Sequence, residues 1–283
     1  MNKKIVYGTA KLSNPNYGYG SSYKTNKSSI KSLNNYISNN KRIKSYEVAT
    51  KYKNSIKNSL KIINKEIHYK IDSIPNNKNK IEKFLNKAIS KYLLESNRKK
   101  IDIFYIHPHD LKTISNPVTL KILKKNQELK KIKYIGVSLY DLEALKYALK
   151  SKIINVIQIP VNVADSFLYS KIPKNSKKII VARSMYLQGT LINDIKNHSY
   201  KKKIENFKKK TKFICKNNKL EYFKTVTSFP FNLKKVDQVI FSSLNKNNLK
   251  QSLNSIYKIK KNNFKIIYND SIKFNKWANP RNW

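Results

Sequence analysis

Short runs of consecutive apolar residues recur along the chain, separated by stretches in which apolar positions fall three and four apart. The runs at Lys4–Ala10, Ser45–Ala49, Glu66–Ile71, Asp102–His107, Lys133–Ser138, Val156–Asn162, Ile179–Ser184 and Gln238–Ser243 read as strands. Several are apolar almost throughout (IDIFYIH, NVIQIPV, KIIVARS), as expected of parallel strands buried on both faces. Between them, Asn79–Leu94 places Ile81, Phe84, Leu85, Ala88, Ile89 and Tyr92 on one helical face. Pro117–Lys131 opens on a proline suited to a helix start, and Asp141–Lys150 opens on a capping aspartate with Leu142, Leu145 and Leu149 facing inward. Asn247–Ile259 repeats the pattern with Leu249, Leu253 and Ile256, and the lysine-rich stretch Tyr200–Lys219 reads as a solvated helix. This alternation predicts an α/β fold, an eight-stranded parallel (β/α)8 TIM barrel. An open doubly wound sheet is disfavoured because no G-x-G-x-x-G follows the first strand. No shift in composition marks a boundary, so residues 1–283 are expected to form one domain, close to the ~250 residues typical of such a barrel.

Charge changes the picture less than its size suggests. Sixty basic against sixteen acidic residues give a net charge of +44, which ordinarily points to a polyanionic partner. Only Arg42, Arg98, Arg183 and Arg281 are arginines, although the arginine fork is the better reader of phosphate and base edges. The lysines are spread along the whole chain among asparagine, isoleucine and tyrosine, residues with AT-rich codons. Compositional drift is a sufficient explanation and no specific nucleic-acid partner is expected, with polyanion binding by the net charge as a further alternative. No apolar stretch approaches the ~20 residues of a membrane helix, and the basic start has no long apolar run behind it. A soluble, cytoplasmic protein without a membrane partner is expected. The lone Cys215 reads as an inert thiol on a helix, and four histidines without ligand spacing predict no metal site. His68 and His109 read as loop or barrel-wall residues, and His198 as exposed.

In a barrel of this kind, chemistry is carried by the carboxyl ends of the strands and the loops after them. Those positions present Glu47 and Tyr52 around the second strand, Lys70 near the end of the third and His107 at the end of the fourth. A tyrosine is a poor acid near neutrality, its ordinary pKa being ~10, and a neighbouring ammonium favours the phenolate and lowers that value. Lys70 supplies the ammonium, Glu47 a carboxylate to hold it, and His107 a donor to orient and polarise a carbonyl oxygen. A cofactor delivering hydride would remove the need for a protein nucleophile.

The segments YGTA (7–10), YEVATKY (46–52), IHYKI (67–71), IDIFYIHPH (101–109), KIKYIGVSLYDLEAL (131–145), NVIQIPVNVAD (155–165) and ARSMYLQGTL (182–191), in this order and spacing, resemble the aldo-keto reductase superfamily over nearly the full chain. The ending, with Asn279-Pro280-Arg281 and Trp283, is similar to bacterial members found among sugar and envelope biosynthesis genes. The resemblance implies an oxidoreductase that uses NADPH, or NADH, to reduce an aldehyde, ketone or sugar-derived carbonyl in a small-molecule substrate. Tyr52 would be the proton donor, assisted by Lys70, His107 and Glu47. It also implies cofactor contacts at Gly8 and Thr9, at Ser138, at Gln158 beneath the nicotinamide amide, and at Ser184, Leu187 and Gly189. Ser242, Ser243, Asn245 and Leu249 would receive the adenosine phosphate. Arg183, after a buried strand, is expected to face the pocket.

Several positions depart from the family's pattern. Glu47-Val48-Ala49 stands where the family has Asp-Thr-Ala, Lys53 where a glycine follows the tyrosine, and Ser242 and Ser252 where glycine and asparagine are usual. The extra methylene of Glu47 can displace Lys70 by ~1 Å, a shift that costs on the order of 100-fold in rate. Together these changes support an alternative: a catalytically impaired barrel kept as a binding or scaffold protein. Substrate identity and oligomeric state are not readable from the sequence.

Overall fold

The computed structural model describes residues 3–14, 17–19, 26–51, 62, 64–107 and 110–283. Eight parallel strands close into a barrel in sequence order, with the last pairing to the first. They are β1 (Lys4–Gly8), β2 (Ile43–Ala49), β3 (Glu66–Ile71), β4 (Ile101–Ile106), β5 (Ile132–Ser138), β6 (Val156–Pro160), β7 (Ile179–Arg183) and β8 (Gln238–Phe241). The principal helices are α1 (Lys27–Asn39), α2 (Lys78–Ser96), α3 (Pro117–Glu128), α4 (Leu142–Lys150), α5 (Lys201–Asn217), α6 (Tyr222–Ser228), α7 (Lys246–Asn254) and α8 (Lys261–Ser271). The chain's many asparagines do structural work at the starts of these helices. Side chains of Asn26, Asn77, Asn116 and Asn245, with Asp141, accept hydrogen bonds from first-turn amides, which would otherwise lack partners.

The strands are apolar on both faces because two cores meet across the sheet. Val6, Ile103, Tyr105, Val156, Val181 and Ile240 form an inner cluster along the barrel axis. The other face of the same strands joins a larger shell beneath the helices, including Ile67, Phe104, Ile135, Ile157 and Val239. Gly136 leaves the interior room for an aromatic ring, since a Cβ there would lie 2.7 Å from Tyr105. His68, expected in a loop or barrel wall, is fully buried inside β3. Burial pushes its pKa down to about 4, and neither ring nitrogen has a hydrogen-bond partner among the described residues.

Several element ends differ from expectation, for local reasons. The sixth strand stops at Pro160, because Asn162 turns back to pair with Asp165. Helix α7 stops at Asn254, short of Ile259. Beyond it Tyr257 N donates to Ser228 Oγ (3.0 Å) and Ile259 N to Asn232 Oδ1 (3.0 Å), so side chains from the preceding segment take the backbone out of the helix. Helix α5 is less solvated than its lysines suggest, burying Ile204, Lys208, Thr211 and Cys215. His198 is half-buried rather than exposed, its ring 4.5 Å from Trp283 and 4.8 Å from Tyr19. Among the described residues no helix is long and apolar enough to cross a membrane.

Candidate active site

A cavity of about 650 Å³ opens at the carboxyl ends of the strands, within the range of small-molecule sites. It is placed there by the barrel: Gly8, Glu47, Lys70, His107 and Ser184 each lie within two residues of the carboxyl end of a strand. The parallel register aligns these ends. Gly8 pairs with Glu47, Ala49 with Lys70, and Ser138 with Gln158.

At the floor of the cavity, three side chains from three strands close a triangle. Lys70 Nζ donates to Glu47 Oε1 (2.9 Å) and to Gln158 Oε1 (2.6 Å), while Gln158 Nε2 donates to Glu47 Oε2 (2.5 Å). Ser138 Oγ adds a fourth contact, donating to Gln158 Oε1 at 2.9 Å. The longer Glu47 side chain therefore reaches both the ammonium and the amide, and Lys70 is held instead of being stranded by the extra methylene. Burial opposes ionisation of Glu47, yet the Lys70 ammonium and the hydrogen bonds from Lys70 and Gln158 outweigh it and hold the carboxyl below its ordinary pKa. Thr9 fixes the same strand end, its hydroxyl donating to the Glu47 carbonyl at 2.7 Å.

His107 lies beside this triangle, with Nε2 4.0 Å from Asp72 Oδ1. Asp72 was missed in the sequence; the only signal was an acid one residue past the end of a strand. Burial raises its pKa, against opposing hydrogen bonds from Thr50 and the Lys51 amide and the pull of Lys70. Tyr52, the expected proton donor, and Lys53 lie outside the described residues, as does His109.

The expected cofactor positions divide into two groups. Gly8, Thr9, Ser184, Gly189, Ser242, Ser243 and Asn245 line the cavity. Ser138 and Gln158 are fully buried beneath its floor, where the triangle engages the glutamine amide at both ends, and Leu187 and Leu249 pack into the surrounding core. The strand order thus brings the seven to the surface of the site and puts the other four behind it. Ser252 also lines the cavity and is within 2.9 Å of the Tyr186 hydroxyl.

The loop after β7 carries unusual backbone. Ser184, Leu187, Gln188 and Gly189 all have positive φ, at 59°, 46°, 54° and 95°, a costly conformation for side-chain-bearing residues and one that clusters at functional sites. Gly189 is required twice over, by its φ and by the Tyr19 carbonyl that crowds the position of any Cβ. Tyr19 N donates to Gln188 O at 2.6 Å and Asn193 Nδ2 to Tyr19 O at 3.0 Å, tying the segment after β1 to this loop across the cavity mouth.

The donor set suits a dinucleotide. Hydroxyls and amides of Ser243, Asn245, Asn248 and Gln251 gather at the start of α7, and Tyr186 and Phe223 offer aromatic faces. Helix amino termini favour phosphate, although Asn245 already occupies two of the α7 amides, at 2.7 and 3.2 Å. Among the described residues, no group of three or more His, Cys, Asp or Glu is placed to hold a metal.

Comparisons with known proteins accord with the barrel fold. A glycerol dehydrogenase from Gluconobacter oxydans is similar in structure (TM-score 0.72, 12% identity, 94% of this chain and 90% of that chain covered). So is the holo form of an aldo-keto reductase from Bacillus halodurans (TM-score 0.74, 13% identity, 97% and 94% covered). A thermostable aldo-keto reductase solved with the inhibitor epalrestat matches at TM-score 0.67 and 18% identity, covering 95% of this chain and 94% of that one. At such identities these likenesses speak for the fold alone. No curated protein sequence matches the chain. The sequence profile of the Aldo/keto reductase family matches residues 5–269. With nearly the whole barrel inside that match, the chain belongs to the aldo/keto reductase family and is an oxidoreductase, in a family whose chemistry is NAD(P)H-dependent carbonyl reduction.

Proposed function

We propose that this chain reduces a carbonyl compound to an alcohol with NADPH, and that Tyr52 delivers the proton. The observation that carries the reading is the Glu47–Lys70–Gln158 triangle at the floor of the cavity, with His107 beside it. A lysine ammonium fixed at the base of a cavity is what a tyrosine acid requires, because its field stabilises the phenolate left after proton donation. Glu47 and Gln158 hold that ammonium in place, so its orientation need not be established during each turnover. His107, next to Asp72, is the donor for the carbonyl oxygen.

The bound cofactor would supply hydride to the carbonyl carbon. Gly8, Thr9, Ser184, Gly189, Ser242, Ser243 and Asn245 would hold the nucleotide, with Leu187 and Leu249 packed behind them. Ser138 and Gln158 would set the polarity beneath the carboxamide end. Lys246, the first residue of α7, and Lys250 favour NADPH over NADH by offering charge near an additional phosphate.

The test pairs turnover with binding. Tyr52→Phe is expected to lower turnover on a panel of aldehydes by ~10²–10⁴-fold, the usual worth of a positioned general acid. NADPH binding, followed by fluorescence at ~150 mM salt to screen the general positive field, is expected to persist. A polyphosphate control separates site binding from charge attraction. Turnover of the phenylalanine variant near the wild-type rate would sink the assignment of Tyr52.

A further inference from the structure

One cation at the wall of the cavity has no ion-pair partner. Arg183, the last residue of β7, is nine-tenths buried and lines the cavity. All sixteen acidic residues of the chain are among those described, yet none places a carboxylate oxygen within 4.0 Å of its guanidinium. A buried cation without a direct ion-pair partner is costly. Asp165 is the acid whose carboxyl feels Arg183, and burial raises the pKa of that acid to about 6. It stands beyond ion-pairing distance of the guanidinium and makes no direct contact with it.

The guanidinium is also aimed. Nε donates to Ser138 Oγ (3.3 Å), Nη2 to the Leu139 carbonyl (3.0 Å) and Nη1 to Ser184 Oγ (3.2 Å). Its face lies 3.9 Å from the Tyr140 ring centroid. These contacts draw it toward the end of β5, away from β8 and α7, where the hydroxyls and amides suited to the nucleotide gather. Of its five N–H groups, three are used and two remain, one on each terminal nitrogen. Two such donors suit the two oxygens of a carboxylate or phosphate. Ser138, which accepts from Nε, also donates to Gln158, so the guanidinium sits beside the Lys70 network at the reacting end of the cavity.

We infer that Arg183 is the seat for an acidic group, carboxylate or phosphate, on the carbonyl substrate, so that this enzyme selects acidic aldehydes or ketones over neutral ones. The inference rests on the proposed carbonyl reduction for the substrate's reacting group, but not for the acid-binding site itself. Arg183 would be a specificity-determining residue, and the proton transfer would remain with Tyr52.

The probes are 4-formylbenzoate and its neutral isostere 4-nitrobenzaldehyde, each titrated calorimetrically into the protein with and without NADPH at ~150 mM salt. Wild-type protein should bind the acid ~10–100-fold more tightly than the isostere, the usual range for charge-assisted hydrogen bonds. Arg183→Met should bring the two affinities together, and the ratio of their kcat/KM values should fall by the same factor. Arg183→Lys should keep part of the preference. Using the ratio cancels any general loss from the substitution, and the wild-type comparison needs no variant to fold. Equal wild-type affinity for the two probes would overturn the inference. So would an equal loss for both in Arg183→Met, or a loss confined to NADPH affinity, which would assign the guanidinium to the nucleotide. If wild type binds the acid selectively through Arg183 but reduces neither probe, the acid seat stands and the reductase reading falls.

Discussion

Replacing Lys70 by methionine should reverse the sign with which Glu47 couples stability to pH. In the native triangle both charges are largely withdrawn from water, with side-chain exposures of 9% for Lys70 and 14% for Glu47. Removing one partner of such a pair leaves the other buried and uncompensated, at a cost of ~3–5 kcal/mol. At ~2 °C of Tm per kcal/mol for a chain of this size, the variant should melt ~6–10 °C lower near neutral pH. The pH dependence identifies the cause. With Lys70 present, the folded Glu47 pKa lies below its ordinary 4.5. Its contribution to stability is then complete above that value and lost as pH falls toward the folded pKa. With Lys70 gone, burial is the dominant influence left and raises the folded pKa above 4.5. The variant's deficit should therefore be smallest below that pH and grow as pH rises through the raised value. Glu47→Gln in the Lys70→Met background removes the stranded charge and should recover most of the lost Tm. Calorimetric melting of the four proteins of this cycle between about pH 4 and 8 measures the coupling directly. Additive effects of the two substitutions, or a Lys70→Met deficit that does not change with pH, would refute the buried-pair reasoning.

Two further outcomes follow from the fold. Gly189→Ala should lower Tm by several degrees and raise KM, because φ of 95° and the Tyr19 carbonyl both oppose a Cβ. An unchanged KM in steady-state kinetics would show that the two mouth loops are not coupled to the site. His68, buried with its pKa lowered to about 4, binds a proton more readily when unfolded. It should therefore cost wild-type stability on the order of 2–3 kcal/mol as pH falls from about 6.5 toward 4. His68→Leu should flatten that part of the Tm–pH curve, and an identical curve would show that His68 is not the group responsible.

The alternation of apolar runs and helical spacing determined the barrel on its own. Parallel strands buried on both faces leave a period in the sequence that no local choice of side chain can hide, and each of the eight strands lies within two residues of its expected bounds. The rule that chemistry sits at the carboxyl ends of strands then made Glu47, Lys70 and His107 legible, since position along a strand is a local property. What the sequence could not decide were relations between strands. Whether the extra methylene of Glu47 strands Lys70 depends on what else it reaches, and only the barrel brings Gln158 near enough to complete the triangle. Ser138, Gln158, Leu187 and Leu249 look like cavity residues by position, but lie behind its wall because side-chain depth is set by packing. Arg183 is one of sixty basic residues in the sequence. It becomes distinctive only when folding buries it against Tyr140 and leaves no acidic side chain within ion-pairing distance, because the cost of a charge depends on its surroundings and not on its identity.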